Sequence, residues 1–169
     1  MGNIILIGFM GCGKSSIGKY MSKRRRYKLI DTDAYIEEKE GRSISEIFDA
    51  DGEEAFRQME TECIKELIGM SGKKLAVAVG GGLPMREINR ELLHELGTIV
   101  YLRASIDTLE KRLQGDNRRP LLQGGGLRTK IENLFAQRES TYEELADIIV
   151  DTDNCTYAEV FMKIKENLK

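Results

Sequence analysis

Short apolar runs recur along the chain, with longer amphipathic stretches between them. Ile4–Ile7, Leu75–Val79, Thr98–Leu102 and Ile148–Val150 read as buried strands, with a shorter one near Leu29–Ile30. The segments between them carry helical periodicity: Lys14–Lys23, Asp33–Glu40, Glu53–Ile68, Ile88–Leu96, Ile106–Leu113 and Leu127–Leu145. Within Glu53–Ile68, the side chains of Phe56, Met59, Cys63 and Leu67 fall roughly on one face. A last helix begins at Thr156, where Glu159 three residues on completes a Thr-x-x-Glu capping box. Strands alternating with helices predict an α/β protein whose parallel sheet is covered on both faces. There is no internal repeat and no Pro/Ser-rich linker. The one loose stretch, Gln114–Gly126, carries Asn117, Arg118, Arg119, Pro120 and several glycines. It reads as a mobile surface loop inside a single domain.

Composition narrows the class without naming a function. The 169 residues suit one domain with one core, and 32% charged against 41% hydrophobic residues fit a soluble globular protein. A net charge of −2 argues against general nucleic-acid binding. No apolar run approaches the ~20 residues of a membrane helix. No basic segment precedes the first apolar run, so a signal peptide is not expected. Cys12, Cys63 and Cys155 are widely spaced, form no metal pattern and suggest a reducing, cytoplasmic compartment. His94 is the single histidine, so any mechanism needing two is excluded, and a helix-surface position is its simplest reading. The basic run Lys23–Arg26 reads as a solvated helix end, where positive charge is favourable.

Candidate chemistry begins at Gly8-Phe9-Met10-Gly11-Cys12-Gly13-Lys14-Ser15, which fits G-x-x-x-x-G-K-[ST] with a strand before it and a helix after it. Glycines let backbone N–H groups turn inward around a phosphate, and the helix aims its positive end at the same place. Lys14 can reach the β- and γ-phosphates, and the Ser15 hydroxyl can ligate Mg²⁺. Cys12 is read as a small residue rather than a catalytic thiol.

Such a loop does not name the acceptor, and the other strand ends carry that information. The second strand runs into Asp31-Thr32-Asp33. In parallel α/β sheets ligands sit beyond the carboxyl ends of strands. One carboxylate there can support a Mg²⁺ shell while the other faces an acceptor; alternatively Asp33 merely caps the following helix. Further on, Phe48 and Phe56 flank a glycine turn, and Arg57 stands three residues before Glu60. This is either a surface ion pair with two core phenylalanines, or a guanidinium held by Glu60 beside an apolar wall. The second arrangement suits a carboxylate substrate, because the guanidinium fork binds two oxygens at once. The third strand ends in Gly80-Gly81-Gly82, more glycine than a plain turn needs, which suggests a very close approach of the backbone to a ligand.

The P-loop, Asp31-Thr32-Asp33, Phe56-Arg57, Gly80-Gly81-Gly82, Arg119-Pro120-Leu121-Leu122, and Arg138 followed by Tyr142 resemble shikimate kinases in order and spacing, from Ile4 to about Val160. The resemblance implies a P-loop NTPase fold of nucleoside-monophosphate-kinase type. Its five-stranded parallel sheet has the order 2-3-1-4-5, flanked by helices, with a shikimate-binding subdomain over about 33–67 and a lid over about 114–126. It implies transfer of the ATP γ-phosphate to the 3-hydroxyl of shikimate, on the route to chorismate and the aromatic amino acids. By position, Asp33 would bind the shikimate hydroxyls and serve as base, Arg57 and Arg138 would pair with its carboxylate, and the Gly80–Gly82 backbone would contact the ring hydroxyls. Gly11, Cys12, Gly13, Lys14, Ser15 and Ser16 would hold ATP. Arg119 would approach the transferring phosphate and Arg112 would lie along adenine. Ser15, with Asp31 through water, would hold Mg²⁺. Where some members carry an arginine after the last strand, this chain offers Asn154, an amide without cation stacking. The expected partners are ATP and shikimate, with the chain acting as a monomer away from nucleic acid and membrane. A P-loop kinase for gluconate or a nucleoside monophosphate, or a nucleotide-dependent switch, are the alternatives. Arg57, Arg138 and the triple glycine speak against a switch, and the short Asp33–Leu67 insert lacks an obvious base-reading set. Gluconate offers the same carboxylate and hydroxyls as shikimate.

Overall fold

A computed structural model describes the chain except for residues 1, 71, 73, 117–121, 123 and 169. Five parallel strands form one sheet in the order β2-β3-β1-β4-β5. Strand β1 (Ile4–Ile7) is central, and all four of its residues are buried, as are those of β3 (Leu75–Ala78) beside it. Such two-sided burial explains why both runs are continuously apolar rather than alternating. The pairing of Ile4 with Ala76 on one side and Thr98 on the other fixes the register against β3 and β4 (Thr98–Arg103). The edge strands β2 (Lys28–Asp31) and β5 (Ile148–Asp151) bury fewer residues, and β5 alternates buried and exposed positions. The observed order is the one implied by the resemblance.

The helices are α1 (Lys14–Arg25), α2 (Thr32–Glu40), α3 (Ile44–Ile68), α4 (Glu87–Leu96), α5 (Ile106–Leu113), α6 (Leu127–Leu145) and α7 (Tyr157–Asn167). A short 3-10 turn, Leu83–Met85, follows the glycine run. Most ends lie within two residues of those expected from the pattern. The exception is α3, which begins nine residues earlier than the predicted Glu53. Its start is set by a capping box, in which Ser43 accepts from the Glu46 amide and Glu46 reaches back to Ser43. At Gly52 the backbone leaves helical geometry (φ 84°, ψ 170°). The positive φ suits glycine, and the helix therefore bends there into two arms. Phe48 on one arm and Phe56 on the other meet with ring centroids 5.1 Å apart. His94 is exposed on α4, as read from the sequence. At the end of the basic run, Arg25 lies over the Phe161 ring of α7, 5.1 Å from its centroid.

The amino end of the sheet is tied by one polar side chain. The Asn3 amide donates to the Leu96 carbonyl (2.9 Å), while its oxygen accepts from the Leu75 amide (2.9 Å). The Asn3 carbonyl accepts from Thr98 N (3.1 Å), so the chain turns from α4 into β4 directly against it. Gly97 makes this turn, and a Cβ there would stand 2.5 Å from the Asn3 carbonyl oxygen. Because that oxygen is backbone at the start of the central strand, it cannot yield cheaply. Gly97→Ala is expected to destabilise the fold by about 1–3 kcal/mol, as overpacking does. Urea denaturation checks this, and a midpoint equal to wild type would contradict the packing described.

Candidate functional site

The P-loop leaves the carboxyl end of the central strand. Its last glycine, Gly13, has φ 108° and starts α1 without a side-chain cap bond. The first-turn amides of α1 are thus not capped by a side chain, an arrangement suited to an anion. Lys14 folds back over the loop, donating to the carbonyls of Gly8 (2.7 Å) and Phe9 (3.0 Å). Arg112, from α5, donates to the carbonyls of Gly11 (3.2 Å) and Cys12 (3.3 Å). A cavity of about 150 Å³ opens there, lined by Gly11, Cys12, Gly13, Ser16, Arg112, Thr152 and Cys155 among others. Asn154 has a left-handed backbone (φ 55°), is exposed, and does not line this cavity. Arg119 lies outside the described residues, as does the rest of Asn117–Leu121.

Ser15 donates its hydroxyl to Asp31 Oδ2 (2.5 Å). The other oxygen of Asp31 accepts from the amides of Asp33 (3.2 Å) and Ala34 (3.4 Å). Asp31 is therefore the N-cap of α2, the task that the sequence allowed for Asp33. Thr32 between them is fully buried, and its hydroxyl accepts from the Gly80 amide (3.0 Å). Sequence reasoning overlooked Thr32; its only signal was its place between two aspartates at a strand end.

A second, larger cavity of about 570 Å³ lies on the other side of the loop. It brings together Met10, Ser15, Asp31, Asp33, Phe48, Phe56, Arg57, Glu60, Gly80, Gly81, Gly82 and Arg138. The three glycines have a direct packing reason. A Cβ on Gly80 would stand 2.8 Å from both Asp33 Oδ1 and Glu60 Oε1; one on Gly81, 3.3 Å from Arg138 Nη1 and 3.4 Å from the Tyr142 hydroxyl. One on Gly82 would stand 2.7 Å from Arg57 Nη1. Side chains here would displace the charged groups themselves. The sequence expectation of a close ligand gains a nearer cause: the bare backbone makes room for two carboxylates and two guanidinium groups.

The charges in this cavity are set deep. Glu60 is 1% exposed and Arg138 6%. Arg57 Nη1 donates to Glu60 Oε2 (2.8 Å), and the Arg57 guanidinium lies 5.5 Å from the centroid of the Phe56 ring. Glu60 Oε1 and Arg138 Nη1 are buried without a hydrogen-bond partner among the described residues. Burial pushes the Glu60 carboxyl up to about 7, against the pull of Arg57 and with a further push from Asp33. Tyr142 donates to the Gly81 carbonyl (2.6 Å), and burial raises its phenol well above the usual range, so it stays a proton donor.

Two cavities thus flank one P-loop, the smaller lined in part by the loop's Gly11, Cys12 and Gly13 and the larger by charged side chains. On fold and site together the molecule is a P-loop kinase for small molecules, of the nucleoside-monophosphate-kinase type. The chain belongs to the shikimate kinase family: that family's model matches residues 10–169. The shikimate kinase of Chromobacterium violaceum is 44% identical over 89% of this chain and 81% of its own length. That of Geobacter sulfurreducens is 43% identical over 96% of this chain and 88% of its own. The structure of shikimate kinase from Acinetobacter baumannii in complex with shikimate superposes with a TM-score of 0.92, at 33% identity, over 100% of this chain and 96% of that one. A gluconokinase from Sinorhizobium meliloti, 18% identical over 99% of this chain and 91% of its own with a TM-score of 0.62, shares the fold alone.

The raised Glu60 carboxyl gives a pH signature. Between the ordinary carboxyl range and about 7, the folded chain keeps a proton that the unfolded chain releases. Stability contributed by this group therefore falls as pH rises through that window and is level above it. Urea denaturation at pH 5, 6, 7 and 8 should show this slope in wild type, with Glu60→Gln flattening it. Equal slopes for the two proteins would contradict the burial of an ionisable Glu60.

Proposed function

We propose that the chain transfers the γ-phosphate of ATP to the 3-hydroxyl of shikimate, giving shikimate 3-phosphate and ADP, in the chorismate route to aromatic amino acids. The observation that carries the reading is the cavity beside the P-loop, where Arg57, Arg138, Asp33 and Glu60 crowd against Gly80–Gly82. Two guanidinium groups suit one carboxylate, and bare backbone beside Asp33 suits ring hydroxyls. The family membership and the resemblance to a shikimate-bound relative support the same choice over gluconate.

In this reading Gly11, Cys12, Gly13, Lys14, Ser15 and Ser16 hold the ATP phosphates, and Arg112 and the stretch around Asn154 lie on the adenine side. Arg57 and Arg138 take the shikimate carboxylate, and the Gly80–Gly82 backbone takes ring hydroxyls. Asp33 orients the attacking hydroxyl and receives its proton. In a loose transition state that transfer comes late, so positioning counts for more than basicity. Lys14 and Arg119 supply positive charge around the transferring group. Residues 33–67 form the acceptor subdomain and 114–126 a lid that carries Arg119 and excludes water. Mg²⁺ suits the donor set of Ser15 with Asp31, whose hydroxyl and carboxylate already meet at 2.5 Å. When bound with ATP, the ion would offset negative charge on the phosphates. The chain is read as acting as a monomer. No helix among the described residues is long and apolar enough to cross a membrane, and three free cysteines fit the cytoplasm.

ADP release measured against shikimate, gluconate, a nucleoside monophosphate and no acceptor tests the reading. Turnover is expected with shikimate; release that ignores the acceptor, or prefers gluconate, overturns it. Asp33→Asn should lower kcat by about 10²–10⁴ if Asp33 handles the proton, with the thermal midpoint little changed. Unchanged turnover would remove Asp33 from the chemistry.

A further inference from the structure

Arg57 is held by two carboxylates of very different character. Its Nη1 is bound to Glu60, 1% exposed and unable to leave without stranding a charge in the protein. Its outer edge is bound to Glu53: Nη2 donates at 2.9 Å and Nε at 3.3 Å, both to the single oxygen Oε1. The Glu53 side chain is 56% exposed and can return to water at little cost. It stands one turn before Arg57, directly after the Gly52 bend, so its position follows from the way α3 restarts. We infer that Glu53 is a stand-in for the substrate carboxylate, holding the outer edge of Arg57 until shikimate displaces it. The inference rests on the reading that Arg57 binds that carboxylate.

The geometry decides which carboxylate wins. Glu53 offers one oxygen to two N–H groups, whereas an incoming carboxylate can meet Nε and Nη2 with one oxygen each, the stronger arrangement. That ligand also gains Arg138, whose buried Nη1 has no partner among the described residues and which Glu53 is not seen to contact. The exchange removes one negative charge from Arg57 as another arrives, so the guanidinium never faces the cavity unneutralised. A neutral ligand cannot make this exchange and would leave Glu53 in place. Glu53 thus competes with a carboxylate at this edge and not with a neutral ligand, and the carboxylate regains more than the displacement costs.

The test compares wild type, Glu53→Ala, Glu53→Gln and Arg57→Ala by steady-state kinetics with shikimate, and by competition with shikimate methyl ester. Removing the stand-in should lower the KM for shikimate about two- to fivefold in both Glu53 variants, the range of an exposed ion pair, while kcat and the KM for ATP move less. The ester, which lacks the charge, should bind the Glu53 variants no better than wild type by the same factor. A shikimate KM that is unchanged or raised in the Glu53 variants overturns the inference, a rise meaning that Glu53 positions Arg57 instead. An equal gain for the ester also overturns it. Arg57→Ala separates the two levels: if it leaves the shikimate KM unaltered, the reading of the carboxylate site fails, whatever Glu53 does.

Discussion

The larger cavity, the proposed acceptor site, depends on a buried pairing between Glu60 and Arg57 against a strip of backbone that has no side chains. Removing one member of such a pair strands the other, at a cost of about 3–5 kcal/mol. The sheet supplies the strip, because β3 ends beside β1 and its continuation, Gly80–Gly82, runs on below the charged groups. Helix α3 supplies the pair from one face, three residues apart. Helix α6 brings Arg138 and Tyr142 from the other side, with the Tyr142 hydroxyl bound to the strip's own carbonyl. Each element is held by groups belonging to another, so the charges are set in place by the fold itself. That is the kind of preorganisation phosphoryl transfer calls for.

The two cavities differ in what they ask of the chain. On the smaller-cavity side, proposed for the nucleotide, the backbone dominates, through a glycine-started helix and carbonyls already occupied by Lys14 and Arg112. On the acceptor side the work falls to side chains, and the backbone's part is to be absent enough for them. The same residue type thus serves opposite ends. Gly13 is needed for its positive φ, whereas Gly82 is needed because a methyl group would strike Arg57.

Much of this was legible beforehand. The strands, the P-loop, Asp31, Arg57, Glu60 and the glycine run were visible as residue types at fixed places along the chain, whereas the strand order came from the resemblance to shikimate kinases. What escaped was what depends on approach in three dimensions. The first arm of α3 is short, and its Ser43-x-x-Glu46 box with Ile44, Ile47 and Phe48 at helical spacing was the signal passed over. Either Asp31 or Asp33 can cap a helix on paper, and only the observed start at Thr32 assigns the cap to Asp31. Thr32 itself looks like filler until its hydroxyl is found on the Gly80 amide. The strip's crowding could not be read at all, since the groups that crowd it come from residues 33, 57, 60 and 138.

Asp31 carries a consequence of its own. One oxygen of its carboxylate fastens the start of α2, from which Asp33 projects, and the other receives the hydroxyl of Ser15 on α1. A single rigid group is therefore a shared joint between the helix that follows the P-loop and the helix that opens the acceptor side. Whatever engages Ser15 must renegotiate this bond, and whatever moves α2 must do so too. Any coupling carried by this joint would be reciprocal by linkage: a ligand that changed affinity on one side through Asp31 would have its own affinity changed by the same factor from the other.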